Sequence, residues 1–457
     1  MKKFTLLTLL LARLAQAGEL RAGAAAVVIT PPNGTPMAGY FNYRASTGVL
    51  DQLYAKAVVL EQDDAKAAFV ALDLIGTTKR LVTAARRLIA EQCAIPPERV
   101  MISATHTHSG PVLLRDSPMD DITGAKQPLA LEFNDKLPAL IARAVAEANA
   151  KLAPVRAFAT IGREEHLSFN RRYLMKDGTV AWQVRLNPDI VRPAGPIDPD
   201  VGVLHLARAA KASEPLATFV NFAMHPTSVG GLKISADYPG TLYRRLAEYL
   251  GTNTVTLFAN GCCGNINHVN PRWAGQRHGP QEAERIGTVL AAAVLKAWPD
   301  LQPLQTFAPR VRTKQVTLPR RKITNEQLTE ARRIFELIGK QKLSTPVMAE
   351  AVCILDTNAN KDKPLEAEVQ VIAFSDDFAM VALPGEIFVE LGLAIKKASP
   401  FKFTFIAELA NGSIGYIPNR SAYPEGQYEV VSARCAAGSG EILLDQTLKL
   451  LNELRNP

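Results

Sequence analysis

The sequence reads Ser103-Ala104-Thr105-His106-Thr107-His108-Ser109-Gly110-Pro111 directly after the apolar run Val100-Met101-Ile102. Two of the seven histidines of the chain therefore stand one residue apart. In extended backbone, residues i and i+2 point to the same side, so the two imidazoles share one face where the strand runs into a Ser-Gly-Pro turn. This arrangement suits a metal or catalytic site, and it equally suits a pair of hydrogen-bonded histidines at a strand end.

Strand-like and helix-like segments alternate over most of the chain. Short apolar runs that predict strands cover residues 24–30, 55–60, 67–74, 100–104, 201–206, 216–222, 254–258, 368–373, 380–383 and 402–408. Helical periodicity is found over residues 80–92, 129–150, 240–249, 281–297, 325–337, 387–397 and 442–454. Because no internal repeat or Ser/Gly linker divides the chain, the pattern predicts one α/β domain with layered mixed sheets flanked by helices.

The first 17 residues have the pattern of a signal peptide. Lys2 and Lys3 precede a short apolar run, and Ala15-Gln16-Ala17 provides a small-x-small cleavage pattern. We therefore predict export to the periplasm or outside the cell after cleavage near Ala17, with residues 18–457 as the mature chain. No later segment offers the roughly 18 uninterrupted apolar residues of a membrane span.

Charge and cysteine content exclude two further classes of protein. The net charge of +8 falls to about +5 without the three basic residues of the leader, and no dense Lys/Arg run is present. We therefore predict no binding to nucleic acid. The five cysteines are odd in number and scattered, which does not indicate a disulfide framework or a thiolate zinc site. The vicinal pair Cys262-Cys263 is interpreted as packing in a tight turn.

Three later loops resemble the first one in placement, because each follows an apolar strand and carries polar residues. They present His225 before Pro226, Glu386 after a Pro-Gly turn, and Tyr416 after a glycine-containing segment. Taken singly, each has a simpler interpretation, such as a structural histidine or a carboxylate favoured at a helix start. Taken together they would provide the nitrogen and oxygen ligands that zinc prefers, provided that they meet in space.

Six separated segments resemble, in the same order, the N-terminal amidase domain of the neutral ceramidase family. The resemblance extends over about residues 23–436. It is carried by residues 103–111, 170–171, 221–225, 384–386, 410–416 and 427–429, with Tyr428 twelve residues after Tyr416 as in the family.

The resemblance implies a zinc hydrolase and assigns roles to individual residues. Zn²⁺ would be held by His106, His225, Glu386 and Tyr416, with a water completing the site and serving as the nucleophile. Three further residues would act on the substrate: His108 would position it or move a proton, Arg171 would bind a carbonyl oxygen or an anionic group, and Tyr428 would donate a hydrogen bond to the oxyanion. Asp73 and Asp237 would support these loops.

The sequence departs from the family pattern at two places. Asn267 stands where ceramidases have a serine with an assigned catalytic role, so we predict attack by zinc-activated water with Asn267 as a donor to the substrate. The chain also ends about twenty residues after Cys435, so the immunoglobulin-like C-terminal domain of the long ceramidases is expected to be absent. Both departures weaken the case for ceramide as the substrate.

The sequence thus predicts an exported zinc-dependent amidohydrolase that cleaves an amide or a related carbonyl bond of a small-molecule or lipid-like substrate. Two alternatives stay open at this point. One is a metal-dependent lyase or related enzyme that acts on a carbohydrate-type substrate with the same zinc centre. The other is a non-catalytic homologue in which a closed zinc site is structural.

Overall fold

Two β-sheets packed face to face form the centre of the structure, a computed structural model that describes residues 18–211, 214–275 and 278–456. The predicted signal peptide lies outside the described residues. The strands are β1 Arg21–Val28, β2 Gly48–Val49, β3 Tyr54–Gln62, β4 Ala65–Leu72, β5 Val100–Ala104, β6 Ala153–Arg163, β7 Phe169–Asn170, β8 Arg172–Met175, β9 Val180–Trp182, β10 Ile190–Pro193, β11 Asp200–Arg208, β12 Pro215–Phe222, β13 Lys233–Ile234, β14 Val255–Asn260, β15 Ile266–Asn267, β16 Gln302–Pro303, β17 Thr306–Leu318, β18 Leu365–Ser375, β19 Phe378–Ala382, β20 Glu386–Ile387, β21 Phe403–Ala407 and β22 Tyr416–Ile417. The α-helices are α1 Lys79–Cys93, α2 Met119–Thr123, α3 Pro128–Asn149, α4 Tyr238–Leu250, α5 Pro280–Ala297, α6 Asn325–Leu337, α7 Thr345–Ala359, α8 Val389–Ala398, α9 Gln427–Val431 and α10 Ser439–Arg455.

The larger sheet is mixed and has the strand order β14-β12-β11-β6-β1-β3-β4-β5, with β16 paired to β6. Its parallel pairs are β4 with β5 and β12 with β14. The smaller sheet has the order β17-β18-β19-β21, and β19 runs parallel to β21. In each parallel pair the two strands end at the same edge, so the loops that follow them start side by side.

The alternation of side chains along β3 explains the layering. Ala57 and Val59 pack with α1 and α3, whereas Val58 and Leu60 lie in the core between the two sheets. Successive side chains of a strand point to opposite faces, so a strand that is apolar at every position must be covered on both sides.

Helices cover the outer faces of both sheets. The helices α4 and α5 pack on the β11, β12 and β14 side of the larger sheet, and α8 and α10 pack on the smaller sheet. The order of layers is therefore helix, sheet, sheet, helix. This confirms the predicted α/β class with layered mixed sheets.

The structure adds elements that local periodicity did not indicate. The helix α7 was not predicted, because it is apolar around most of its circumference: one side packs on α6 and another side lines a cleft. The helix α8 begins two residues later than predicted, because Glu386 and Ile387 form the short strand β20. All five cysteines are buried and free. In the described part of the chain, no helix has the length and apolar character that a membrane crossing requires.

Candidate metal centre

Four loops that follow the carboxyl ends of strands bring the predicted site residues together. The strand β5 ends two residues before His106, and β12 ends three residues before His225. The loops after β19 and β21 lead to Glu386 and Tyr416, which are directly paired between β20 and β22. Residues from both sheets therefore contribute to one site.

Buried asparagines join the two sheets at this edge. The Nδ2 atom of Asn221 donates hydrogen bonds to the carbonyl oxygens of Ala259, at 2.8 Å, and of Ile406, at 2.7 Å. The Oδ1 atom of Asn411 accepts the backbone N–H of Ile102 at 2.9 Å. An amide side chain can satisfy backbone groups of two strands at once, so these residues fix the relative positions of the loops.

The backbone of His106 adopts a conformation that is uncommon for a residue with a side chain. Its φ angle is +77°, in the left-handed region. A hydrogen bond from its N–H to the carbonyl of Leu74, at 2.9 Å, holds this conformation. Such a residue costs on the order of 1–3 kcal/mol and persists where its surroundings enforce it, often at functional sites. The turn directs the imidazole of His106 towards Glu386 and His225.

Three histidines are oriented in the same way, with Nδ1 hydrogen-bonded to a backbone carbonyl and Nε2 left for a ligand. The Nδ1 atoms of His106, His225 and His108 lie 2.6, 2.9 and 3.2 Å from the backbone carbonyls of Ile75, Ile266 and Gly39, respectively. A carbonyl oxygen only accepts, so each Nδ1 carries the proton and each Nε2 carries a lone pair. A group of ligand nitrogens from the three histidines lies within 4.8 Å of one another.

The Glu386 carboxylate closes this group of donor atoms. Its Oε2 atom lies 3.2 Å from Nε2 of His225 and 3.4 Å from Nε2 of His106. Burial disfavours the charged carboxylate, but the two histidines outweigh burial and hold the pKa of Glu386 well below its usual range. Gly385 allows the approach of the two loops, because a Cβ atom there would stand 2.5 Å from the Gly415 carbonyl that accepts the N–H of Glu386.

Arg171 holds the phenol of Tyr416 in place. Its Nη2 atom donates to the Tyr416 hydroxyl at 3.1 Å and to the Gly264 carbonyl at 2.6 Å, and its Nε atom donates to Glu429 at 2.7 Å. The guanidinium is thus engaged on three sides and its side chain is 5% exposed. Arg172 also donates to Glu429, at 3.0 Å, so one buried carboxylate serves two arginines.

The remaining predicted residues differ in their access to this site. Tyr428 packs edge-on against the ring of Tyr416, with ring centroids 5.4 Å apart, and it lines the same cleft as His108. Asn267 is buried, and its Oδ1 atom accepts the backbone N–H of Val269 at 2.9 Å. It does not belong to the residues that line the cleft. Its role as a donor to the substrate stays a prediction.

Asp73 and Asp237 support neighbouring loops. Asp73 accepts the backbone N–H of Tyr54 at 2.9 Å and the hydroxyl of Tyr243 at 3.0 Å. Asp237 caps α4 and accepts the backbone N–H of Val229 at 2.9 Å, four residues beyond His225. Both side chains therefore hold neighbouring loops in position and do not belong to the group of donor atoms.

Glu408 and Cys263 lie behind His225. The Cys263 thiol donates to Glu408 at 2.9 Å and lies 3.3 Å from Nδ1 of His225. Burial and the neighbouring carboxylates raise the pKa of this thiol well above its usual range, and Cys263 is fully buried. A thiol that a substrate cannot reach and that stays protonated is a poor nucleophile. This placement agrees with the interpretation of the cysteine pair as packing.

The donor set fits a metal ion such as Zn²⁺. Two Nε2 lone pairs that face each other repel unless a proton or a cation lies between them. Imidazole nitrogens, a carboxylate and a phenol oxygen are ligands of the kind that zinc accepts. Burial and the positive charge of Arg171 lower the pKa of His225 to about 3, which keeps this ring neutral and able to coordinate near neutral pH.

Most residues of this donor group, though not His225, line one part of a cleft that is partly open to solvent, and this part is called its base. The side chains of His106, His108, Glu386, Tyr416 and Tyr428 line its base. The lining also includes the apolar side chains of Val112, Leu113, Met119 and Val352, which are together called the apolar wall. Arg115 and Arg434 also line the cleft.

Sequence reasoning missed four residues of this region, which are Arg115, Arg434, Glu408 and Glu429. Glu408 had a detectable signal, because it is a carboxylate directly after the buried strand β21. Glu429 stood next to Tyr428 in a quoted segment without receiving a role. The two arginines follow no periodic pattern, so their place in the cleft depends on the tertiary structure alone.

Comparison with known proteins supports the same family over most of the chain. The family model described as neutral/alkaline non-lysosomal ceramidase, N-terminal, matches residues 21–258. Neutral ceramidase from Pseudomonas aeruginosa has a similar structure with a TM-score of 0.76 and 21% sequence identity, covering 96% of this chain and 75% of that chain. A solved structure of a ceramidase complexed with C2 gives a TM-score of 0.75 and 20% identity, with 96% and 76% covered. A comparison with curated protein sequences gives no match.

Proposed function

The chain belongs to the neutral/alkaline non-lysosomal ceramidase family, and from this premise we propose that it is an exported Zn²⁺-dependent hydrolase of amide or related carbonyl bonds. One observation carries the proposal. Ring nitrogens of three histidines and the carboxylate of Glu386 converge, and His106, His108 and Glu386 line a cleft that is partly open to solvent. A closed site would favour a structural metal, whereas an open site leaves room for substrate.

We assign the metal to His106, His225, Glu386 and Tyr416. Bound Zn²⁺ would polarise a carbonyl and lower the pKa of water towards about 7. Arg171 is a positioning residue in this assignment, because it donates to the Tyr416 hydroxyl and is itself fixed by Glu429. Burial and the Glu386 charge raise the pKa of the Tyr416 phenol, so its ionisation would depend on a nearby cation.

His108 is our candidate for proton transfer. Burial and the two neighbouring histidines lower its pKa well below the usual range, so the ring is neutral near pH 7. Its Nδ1 donates to the Gly39 carbonyl, which leaves Nε2 as the acceptor on the cleft side. In hydrolysis the oxygen of water bonds to the carbonyl carbon, the C–N bond breaks, and the leaving nitrogen takes a proton. His108 would take up the first proton and return it to that nitrogen.

Tyr428 is our candidate for stabilising the oxyanion. It lines the cleft beside Tyr416, and Trp182 packs on its ring with centroids 4.6 Å apart. Burial raises the pKa of Tyr428 above its usual range, so it stays a hydrogen-bond donor at neutral pH. A donor held rigidly by packing needs little reorganisation as negative charge develops.

The apolar wall of the cleft supports an acyl chain as one part of the substrate. Val112, Leu113, Met119 and Val352 provide this surface next to the proposed metal. Ceramide, the substrate class named by the family, contains such a chain and an amide. Apolar lining of this kind favours an acyl substrate over a carbohydrate-type one, for which a polar cleft would be needed.

The test combines metal content with hydrolysis. Purified protein is assayed for zinc by plasma mass spectrometry and for release of dodecanoate from ceramide and from simple N-dodecanoyl amines. We expect about one zinc per chain and hydrolysis that a chelator abolishes and Zn²⁺ restores. Full activity in the metal-free protein would contradict the zinc assignment, and a zinc-loaded protein inactive on every amide and ester would contradict the hydrolase assignment.

A further inference from the structure

Arg115 brings a guanidinium into the cleft, and within the described ranges no carboxylate forms a direct ion pair with it. Its segment is folded onto the start of α2, where the Asp120 carboxylate accepts the backbone N–H groups of Arg115 at 3.1 Å and of Ser117 at 3.1 Å. The side chain of Arg115 is exposed to the cleft. Its guanidinium makes no hydrogen bond or ion pair with any residue of the described ranges. The Asp120 carboxylate is therefore hydrogen-bonded to the main chain, and it acts on the Arg115 guanidinium through space without a direct ion pair.

The position of the Arg115 guanidinium is set close to the metal centre. A Cβ atom at Gly76 would lie 3.6 Å from its Nη2 atom. Gly76 directly follows Ile75, whose carbonyl accepts the Nδ1–H of His106. The Arg115 guanidinium thus lies beside Gly76, and Gly76 is next in sequence to the residue whose carbonyl orients His106.

Arg434 brings a second guanidinium to the same cleft. Its Nε atom forms an ion pair with Asp356 of α7. Its Nη1 atom is 2.5 Å from where a Cβ atom of Gly415 would stand, so the absence of a side chain at Gly415 makes room for it beside Tyr416. The ion pair uses the Nε edge and leaves the Nη1 atom on the side of the metal centre.

The two cations affect each other and the metal centre. Loss of hydration among the surrounding protein groups and then the positive charge of Arg434 lower the pKa of Arg115, whereas Glu386, Asp120 and Asp356 raise it. The Glu386 carboxylate also acts on Arg434. Glu386 would be neutralised once it ligates Zn²⁺, and Asp356 is paired with Arg434. Two guanidinium groups would then face the cleft beside a bound cation, with Asp120 and Asp356 as the nearby carboxylates. Like charges in a partly desolvated site are costly unless a ligand supplies the opposite charge.

We propose that Arg115 and Arg434 bind an oxyanion on the polar part of the substrate, so that the preferred substrate is an N-acyl compound with a carboxylate, sulfonate or phosphate group. This inference rests on the proposed amidase function, whose scissile bond would lie at the metal centre. The acyl chain would lie on the apolar wall formed by Val112, Leu113 and Met119. Guanidinium groups bind planar and tetrahedral oxyanions through paired N–H donors. A neutral amide substrate has no oxyanion to accept these hydrogen bonds.

The experiment compares matched substrates that share one acyl chain. N-dodecanoylglycine, N-dodecanoyltaurine and N-dodecanoylethanolamine phosphate carry the three oxyanions, and N-dodecanoylethanolamine is the neutral reference. We expect the wild-type kcat/KM for at least one anionic substrate to exceed that of the neutral one by about tenfold or more. The ratio should fall by about 10- to 100-fold in Arg115→Gln, mainly through KM, and by a smaller factor in Arg434→Gln.

The control variant is Arg143→Gln, on an exposed face of α3 where Arg143 pairs with Glu147. It should keep the wild-type ratio. Zinc content and circular dichroism of Arg115→Gln should match those of the wild type, because this side chain supports no other residue. The best of the three anionic substrates identifies the chemistry of the bound group.

The outcomes separate this inference from the proposed function. If the neutral amide is hydrolysed as well as all three anionic ones, the oxyanion site is wrong and the amidase stands. If no amide is hydrolysed, calorimetric titration with N-dodecanoylglycine decides. Binding that Arg115→Gln weakens about tenfold supports the oxyanion site without the amidase, whereas binding that is equal in both proteins, or absent from both, overturns the site.

Discussion

The Nε2 atoms of His106 and His108 lie 3.3 Å apart, although each ring donates its Nδ1–H to a different segment of backbone. The two rings are nearly perpendicular, with an interplanar angle of 81°. Both lone pairs face the same small volume, a geometry that a bound cation would relieve. The assignment of one ring to the metal and the other to the substrate can be tested separately.

Replacing His106 should remove the metal. We expect His106→Ala to retain less than about a tenth of the wild-type zinc after dialysis, because three donors then remain where four held the ion. Zinc is measured per chain by plasma mass spectrometry. His166→Ala, at an exposed position, is the matched control and should keep full zinc. Unchanged zinc content in His106→Ala would refute the ligand assignment.

Replacing His108 should separate catalysis from metal binding. We expect His108→Ala to keep wild-type zinc and to lose about 10²- to 10⁴-fold in kcat, the usual range for a residue that transfers protons. Steady-state kinetics and metal analysis on one preparation give both numbers. Loss of zinc in this variant would instead show that His108 is itself a ligand of the metal.

Removing Glu429 should destabilise the fold strongly. Its carboxylate is fully buried and pairs with Arg171 and Arg172. Glu429→Ala therefore leaves the buried Arg171 without a carboxylate partner and leaves Arg172 with Glu425 alone. We expect a loss of about 3–5 kcal/mol in the free energy of unfolding, measured by urea denaturation. Glu425→Ala is the control, because Glu425 pairs with Arg172 from a side chain that is 34% exposed. It should cost less than about 1 kcal/mol, and equal losses in the two variants would contradict this account.

Lys56 should make stability rise with pH. Its Nζ atom donates to the Thr256 carbonyl at 2.9 Å and lies over the ring of Tyr243, and burial lowers its pKa from 10.5 to about 7 despite the nearby charges of Asp73 and Asp51. Between pH 7 and about 10.5 the unfolded chain holds a proton that the folded protein does not. The free energy of unfolding should therefore rise with pH there, by up to about 1.4 kcal/mol per pH unit.

The variant Lys56→Met tests this contribution. Urea denaturation at pH 7, 8 and 9 should show a rise for the wild type that is flattened in Lys56→Met. Lys136→Met, at an exposed position of α3 where Lys136 pairs with Glu132, should follow the wild-type curve. Parallel curves for the wild type and Lys56→Met would mean that the folded protein keeps Lys56 protonated.

Much of the site was readable from the sequence because its signals are local. Each predicted metal ligand follows an apolar strand. A polar residue at that position does not contribute to a hydrophobic core, so it indicates a functional site. The positions of His106, His225, Glu386 and Tyr416 depended on this pattern and on the order of the family segments. The layered α/β class followed from the same periodicities, which strands and helices impose on neighbouring residues.

The roles of Arg171 and the two cleft arginines could not be found in this way. The binding of a carbonyl oxygen or an anionic group by Arg171 stays a prediction, and its contacts with Tyr416 and Glu429 join positions 245 and 258 residues apart in sequence. Arg115 lies between β5 and α2 and Arg434 lies between α9 and α10, so these two segments without periodicity line one cleft only in the folded chain. Contacts between distant segments leave no local pattern in a single sequence.

By itself the sequence determined which residue types follow which strands, and therefore the class of the fold and the candidate ligands. The tertiary structure decided that loops from four strand ends meet, that His106 turns into a left-handed conformation, and that Arg115 and Arg434 line the same cleft as His106. The physical reason is that periodicity and turn chemistry act between neighbours along the chain. Ligand atoms converge, and charged side chains become buried beside one another, only when distant segments are packed together.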